Sequence, residues 1–137
     1  HIFLKEAVDV AIIEVGIGGR YDCTNILEQP VVTGITSLSL EHTNLLGDSL
    51  EKITWHKCGI FKPGSPAFIA NQHPNVHLND LCLNYASLSK SYGTIVYADN
   101  NLKPGIPGSF QTLNSSLALA ISKYWLEKNG SSNASLL

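Results

Sequence analysis

Residues 8–25 read VDVAIIEVGIGGRYDCTN, in which a nearly continuous Val/Ile-rich run, 8–15, carries Glu14 near its end and passes at once into a turn with glycines at 16, 18 and 19. An apolar run without alternation suits a strand buried on both faces, as in a parallel sheet covered by helices. The rest of the chain repeats that grammar. A second apolar run, 31–36, follows the Pro30 break, and a helical pattern spans 48–61 until Pro63-Gly64 stops it. A third strand is expected at 66–70 and a fourth at 94–98. Between them, from His73-Pro74 to about Ser89, Leu78, Leu81, Cys82, Tyr85 and Leu88 share one helix face. After the Pro/Gly loop 103–108, a last helix is expected at 113–126. Strands alternating with helices predict an α/β fold with an open, mainly parallel sheet flanked by helices.

The bulk numbers narrow the function classes. At 137 residues with 44% apolar content, the chain is long enough for one real core. A net charge of -2 offers no basic footprint for nucleic acid, and no stretch approaches the roughly 18 apolar residues of a membrane span. The expected partners are therefore small molecules, and the expected state is a monomer. Three cysteines, Cys23, Cys58 and Cys82, form no CxxC pair and fit reduced thiols in an intracellular compartment. The chain contains no methionine, and nothing before residue 8 resembles a leader, so it reads as an internal piece of a longer protein. Residues 128–137 read as a polar tail or linker.

In an open parallel sheet, ligands sit beyond the carboxyl ends of the strands. Glu14 is expected at such an end, where a metal-binding carboxylate belongs; a strand ending in solvent is the alternative. The glycines behind it permit a sharp turn and a close approach of backbone to ligand, although the GxGxxG spacing is absent. His42 follows the second strand, in a loop on the same side, where it is either simply exposed or a ligand to a divalent cation beside Glu14. Lys57 is the anomaly, because Leu50, Ile53, Lys57 and Ile60 fall on one helical stripe. Either its stem snorkels past the helix end to water, or burial favours the neutral amine, which can take up carbon dioxide as a carbamate. His73 and His77, in HPNVH, have zinc-like spacing but no third ligand, and are expected at the surface. Cys58 reads as a small buried residue.

Taken together, EVGIGGRYDCTN (14–25), EHTNLLG (41–47) and EKITWHKCGIFKPGSPAF (51–68) resemble folylpolyglutamate synthase of the Mur ligase superfamily, with a looser match at GSFQTLNSSLALA (108–120). The resemblance implies that residues 1–127 form the central part of a Mur-ligase-like P-loop NTPase domain, with the P-loop upstream. It implies an ATP- and magnesium-dependent ligase that adds L-glutamate to the γ-carboxyl of reduced folates through an acyl-phosphate, with this piece alone inactive. By position, Glu14 and His42 would be Mg2+ ligands, Lys57 the carbamylated lysine, Asp22 a pterin contact and Asn114 an adenine contact. Two departures stand out: Glu41 replaces the family's usual Asp before the metal histidine, and His56 and Cys58 flank Lys57. The sister activity on dihydropteroate, and a degenerate nucleotide-binding module, are the alternatives. The resemblance implies a cytoplasmic enzyme, with a mitochondrial form also open.

Overall fold

The computed structural model describes residues 2–130. The expected tail at 128–137 lies, for residues 131–137, outside the described residues. Five α-helices, α1 (Ile2–Lys5), α2 (Thr43–Leu46), α3 (Leu50–Lys57), α4 (His77–Leu88) and α5 (Gln111–Lys128), accompany three strands, β1 (Thr33–Ile35), β2 (Pro66–Ala70) and β3 (Tyr92–Val96). Two 3-10 turns, Cys23–Ile26 and Cys58–Ile60, complete the described elements. The sheet has the order β1-β2-β3 and is parallel throughout, with Thr33 opposite Ala67 and Pro66 opposite Tyr92.

Alternate strand residues face two different helical layers, as the pleat requires. Ile35, Ala67 and Ile69 belong to one face and pack with Leu78, Cys82 and Ala86 of α4 and with Cys58 and Phe61. Gly34 and Phe68, the residues between them, belong to the other face. There the Phe68 ring lies 6.0 Å from that of Tyr124 on α5. A Cβ on Gly34 would come within 2.7 Å of Ile121, so the absence of a side chain lets α5 approach β1. The result is a three-layer α/β/α unit. Ile53, Ile69 and Leu78 are fully buried, each contributing about 1.5–3 kcal/mol on transfer from water.

Helix α3 starts at an N-cap, Ser49, whose side chain accepts from the Lys52 N–H. It ends in the 3-10 turn at Cys58, ahead of Pro63-Gly64. Of the expected face of α4, Leu78 and Cys82 are buried, Leu81 and Tyr85 half-buried and Leu88 exposed, while Ala86 takes a buried place beside Gly93.

One expectation fails. Residues 8–15 form no strand; they run as irregular chain with Val8, Val10, Ile12 and Ile13 exposed, Ile12 to 89%. Continuous apolarity says what a segment would gain by burial, but a doubly buried strand also needs a paired edge and cover on both faces. Among the described residues, α4 and α5 cover only β1, β2 and β3, and β1 pairs only with β2. Glu14 therefore does not stand at a strand end.

Candidate functional site

The glycine-rich turn docks on a helix. The Arg20 N–H donates to the His56 carbonyl (2.8 Å), anchoring residues 16–25 to the last turn of α3. A Cβ on Gly19, whose φ is +149°, would lie 3.0 Å from the carbonyl oxygens of both His56 and Lys57 and 2.9 Å from Ile60. The glycine is thus needed for backbone to meet backbone. Arg20 places its guanidinium 4.1 Å from the centre of the Trp55 ring, a cation–π contact. Tyr21, Trp55 and His56 meet edge to face, with ring centroids 4.9–6.1 Å apart. The Asn25 amide donates to the carbonyls of Arg20 and Gly59, closing the turn onto the residues after α3.

On the same end of α3, Lys57 reaches the loop that leaves β1. Its Nζ lies 2.6 Å from Glu41 Oε1, with the lysine side chain 23% and the glutamate side chain 43% exposed. The hydrogen bond from Lys57 holds the Glu41 carboxyl below the usual carboxylate range; partial burial opposes this, and the charges of Lys57 and His42 add to it. Lys57 is thus inward-facing over its stem and paired at its tip. The Glu41–His42 step also carries strain. His42 sits in the left-handed region (φ 48°, ψ 37°) as the N-cap residue of α2, and its carbonyl accepts from the Leu45 and Leu46 N–H groups. The Glu41–Lys57 pair therefore brings the neighbourhood of His42 to the end of α3, with the glycine-rich turn against the same helical turn. Glu41, read in the sequence only as a variant neighbour of His42, is the residue that makes this junction. Its pairing with a lysine 16 positions on leaves no local signal.

The remaining expected site residues are placed as follows. Glu14 is exposed, and among the described residues its side chain enters no hydrogen bond or ion pair. Asp22 folds the glycine-rich turn: Oδ1 accepts from Thr24 Oγ1 (2.6 Å) and Thr24 N (2.9 Å), and Oδ2 accepts from Ile17 N (3.0 Å). These hydrogen bonds, the Thr24 hydroxyl first, hold the Asp22 carboxyl down to about 2. Asn114 lies in the first turn of α5, half-buried, its amide donating to Gln111 Oε1 (3.3 Å). His73 and His77 are exposed as expected, and His77 Nε2 faces Glu51 at 3.2 Å.

Among the described residues, no three His, Cys, Asp or Glu side chains converge as a closed metal cage. A surface cavity of about 420 Å³, lined by Leu46, Glu51, Lys52, Trp55, His56 and Tyr85, lies on the outer side of α3 and includes none of the expected site residues.

No protein-family model matches the chain. Individual proteins do. An alignment covering 98% of the chain is 45% identical to the mitochondrial folylpolyglutamate synthase of Bos taurus, and one covering 95% is 41% identical to the folylpolyglutamate synthase of Candida albicans. The chain is a homologue of one segment of folylpolyglutamate synthase. It spans about a quarter of the length of these curated relatives, 24% and 26%. Solved folylpolyglutamate synthases share the fold. The apo form from L. casei and an AMPPCP–folate complex each superpose with a TM-score of 0.82 at 27% identity, over 94% of this chain and 37% of theirs. A bifunctional folylpolyglutamate synthase/dihydrofolate synthase from Yersinia pestis, complexed with AMPPNP and Mn, gives 0.71 at 29% identity, over 90% of this chain and 32% of its own. The expected resemblance and the open parallel α/β fold are both borne out. Among the described residues, no helix is long and apolar enough to cross a membrane.

Proposed function

We propose that this chain is the central part, residues 1–127, of the ATP-binding catalytic domain of a ligase that adds L-glutamate to the γ-carboxyl of reduced folates. The observation that carries the reading is the likeness to an AMPPCP–folate complex over 94% of the chain, at a TM-score of 0.82. The Glu41–Lys57 pair supports it, because it holds a carboxylate and an amine at the end of one helix, beside the backbone-tight glycine turn and next in sequence to His42.

In this reading ATP and Mg2+ bind here, in line with a Yersinia pestis relative that is complexed with AMPPNP and Mn. The metal would be held by His42 and Glu14, and would neutralise charge on the transferring phosphate. Lys57 has two states. As an ammonium it is held by Glu41. As a carbamate it is an anion and repels Glu41, so the modification frees the Glu41 carboxylate toward the cation. Asp22 keeps the glycine-rich turn in shape and offers its remaining lone pairs to the pterin, and Asn114 meets the adenine. The reaction is intracellular in either cytosol or mitochondrion, the second being the compartment named for the Bos taurus relative.

The test is product formation. The intact protein carrying this segment, given ATP, Mg2+, tetrahydrofolate and glutamate, yields folate lengthened by glutamate, resolved by mass spectrometry; hydrolysis of no ATP and formation of no lengthened folate sinks the proposal. The likeness to a bifunctional relative favours one second reading, glutamate addition to dihydropteroate, which the same assay scores with that substrate.

A further inference from the structure

Cys58 and Cys82 face each other across the interior with their sulfurs 3.6 Å apart. Both side chains are buried, to 1% and 0% exposure. Cys58 opens the 3-10 turn that ends α3, and Cys82 lies in the middle of α4. The two thiols therefore connect the helix that carries Lys57 to the helix packed on β2 and β3. A disulfide has its sulfurs about 2.0 Å apart, so bond formation asks for an approach of about 1.6 Å. The third cysteine, Cys23, is exposed.

We infer that Cys58 and Cys82 are an oxidisable dithiol pair, which a peroxide converts into a disulfide joining the end of α3 to α4. In the first step the Cys82 sulfur attacks one peroxide oxygen; the O–O bond breaks, and a sulfenic acid and one water form. The Cys58 sulfur then attacks the sulfenic sulfur; the S–O bond breaks, and the hydroxyl leaves with the Cys58 proton as a second water. Two thiols lose two electrons in total, and one peroxide gains them. The Cys58 thiol donates toward Cys82 and each sulfur lies within reach of the other, so the same balance holds whichever of the two attacks first. Hydrogen peroxide is small and uncharged, and in this proposal it reaches the pair when the end of α3 at Cys58 opens locally from α4.

The experiment exposes the intact, folded protein to hydrogen peroxide, quenches it, alkylates free thiols in denaturant and maps peptides without reduction. The expected result is a linked pair of peptides holding Cys58 and Cys82, lighter than their sum by two hydrogens, abolished by dithiothreitol and absent in Cys58→Ser and Cys82→Ser. Cys23 reports accessible thiol chemistry in the same digest. A denaturant series on the unsubstituted protein keeps the test independent of whether those variants fold. Linkage in native buffer supports the pair. Thiols that remain free or overoxidise without linking, or a link that forms only at denaturant concentrations that unfold the protein, overturn it.

Discussion

If the glycine-rich turn is shaped for docking on α3, then three glycine-to-alanine changes must differ in a set order. Gly105 has open space around its would-be Cβ and no positive φ, so Gly105→Ala should be neutral or stabilise by up to about 1 kcal/mol through the unfolded chain. Gly64 also has open space but a φ of +77°, so Gly64→Ala pays only the conformational cost, about 1–2 kcal/mol. Gly19 combines a φ of +149° with a Cβ position 3.0 Å from two carbonyl oxygens, which belong to the helix backbone and cannot rotate away. Gly19→Ala should therefore cost that conformational term plus the displacement of the turn from α3, about 3 kcal/mol or more. Urea unfolding followed by the fluorescence of Trp55 and Trp125 measures all three. Trp55 lies under Arg20 at the docking surface, so its emission should also shift in Gly19→Ala before global unfolding. Equal losses for Gly19→Ala and Gly64→Ala would refute the packing argument, because the steric part would then be absent.

The Glu41–Lys57 pair is partly exposed, and screening limits its worth to about 0.5–1 kcal/mol. Its sign in pH is set by Glu41, whose carboxyl is lowered on folding. The stability difference between the protein and Glu41→Gln is then fully present above the ordinary carboxylate range and lost as pH falls through that range and below; urea titrations at neutral and acid pH read it, and a difference that grows on acidification contradicts it. Asp22 should titrate with a midpoint of about 2 in a carbon-detected NMR titration, and a midpoint near the usual aspartate value would show that its bonds to Thr24 and Ile17 do not persist in solution.

The reach of local pattern is visible element by element. Strand β2 forms at the residues expected, because Pro63-Gly64 brackets a short apolar run and leaves it no other start. Strand β3 starts two residues before the expected 94–98, at Tyr92, since its bounds are set by pairing with Pro66 and Ala67 rather than by its own composition. Helix α5 runs two residues past its apolar pattern at each end, into polar positions that a helix tolerates in solvent. At residues 8–15 the pattern misleads, for apolarity without a paired edge does not make a strand. The site shows the same division. Lys57 stands out because its stripe position conflicts with its charge, and Cys58 is buried, as a small apolar residue predicts. The partner of Lys57 and the reason for Gly19 depend on contacts 16 and about 37 positions away, which no local spacing carries. Asp22 is legible only in part: Asp-x-Thr is a capping pattern as well as a candidate binding motif, and the structure gives its oxygens to the cap.

The most direct test of the account is the rate of glutamate addition to tetrahydrofolate by Lys57→Ala of the intact protein, at saturating ATP and Mg2+, with folding checked by circular dichroism. Loss of a charge-stabilising group at the transferring phosphate predicts a fall in kcat of about 100-fold or more, with the fold retained. A variant that turns over within a few-fold of the unsubstituted protein would contradict it, and would leave the Glu41–Lys57 pair as a strut between a loop and a helix.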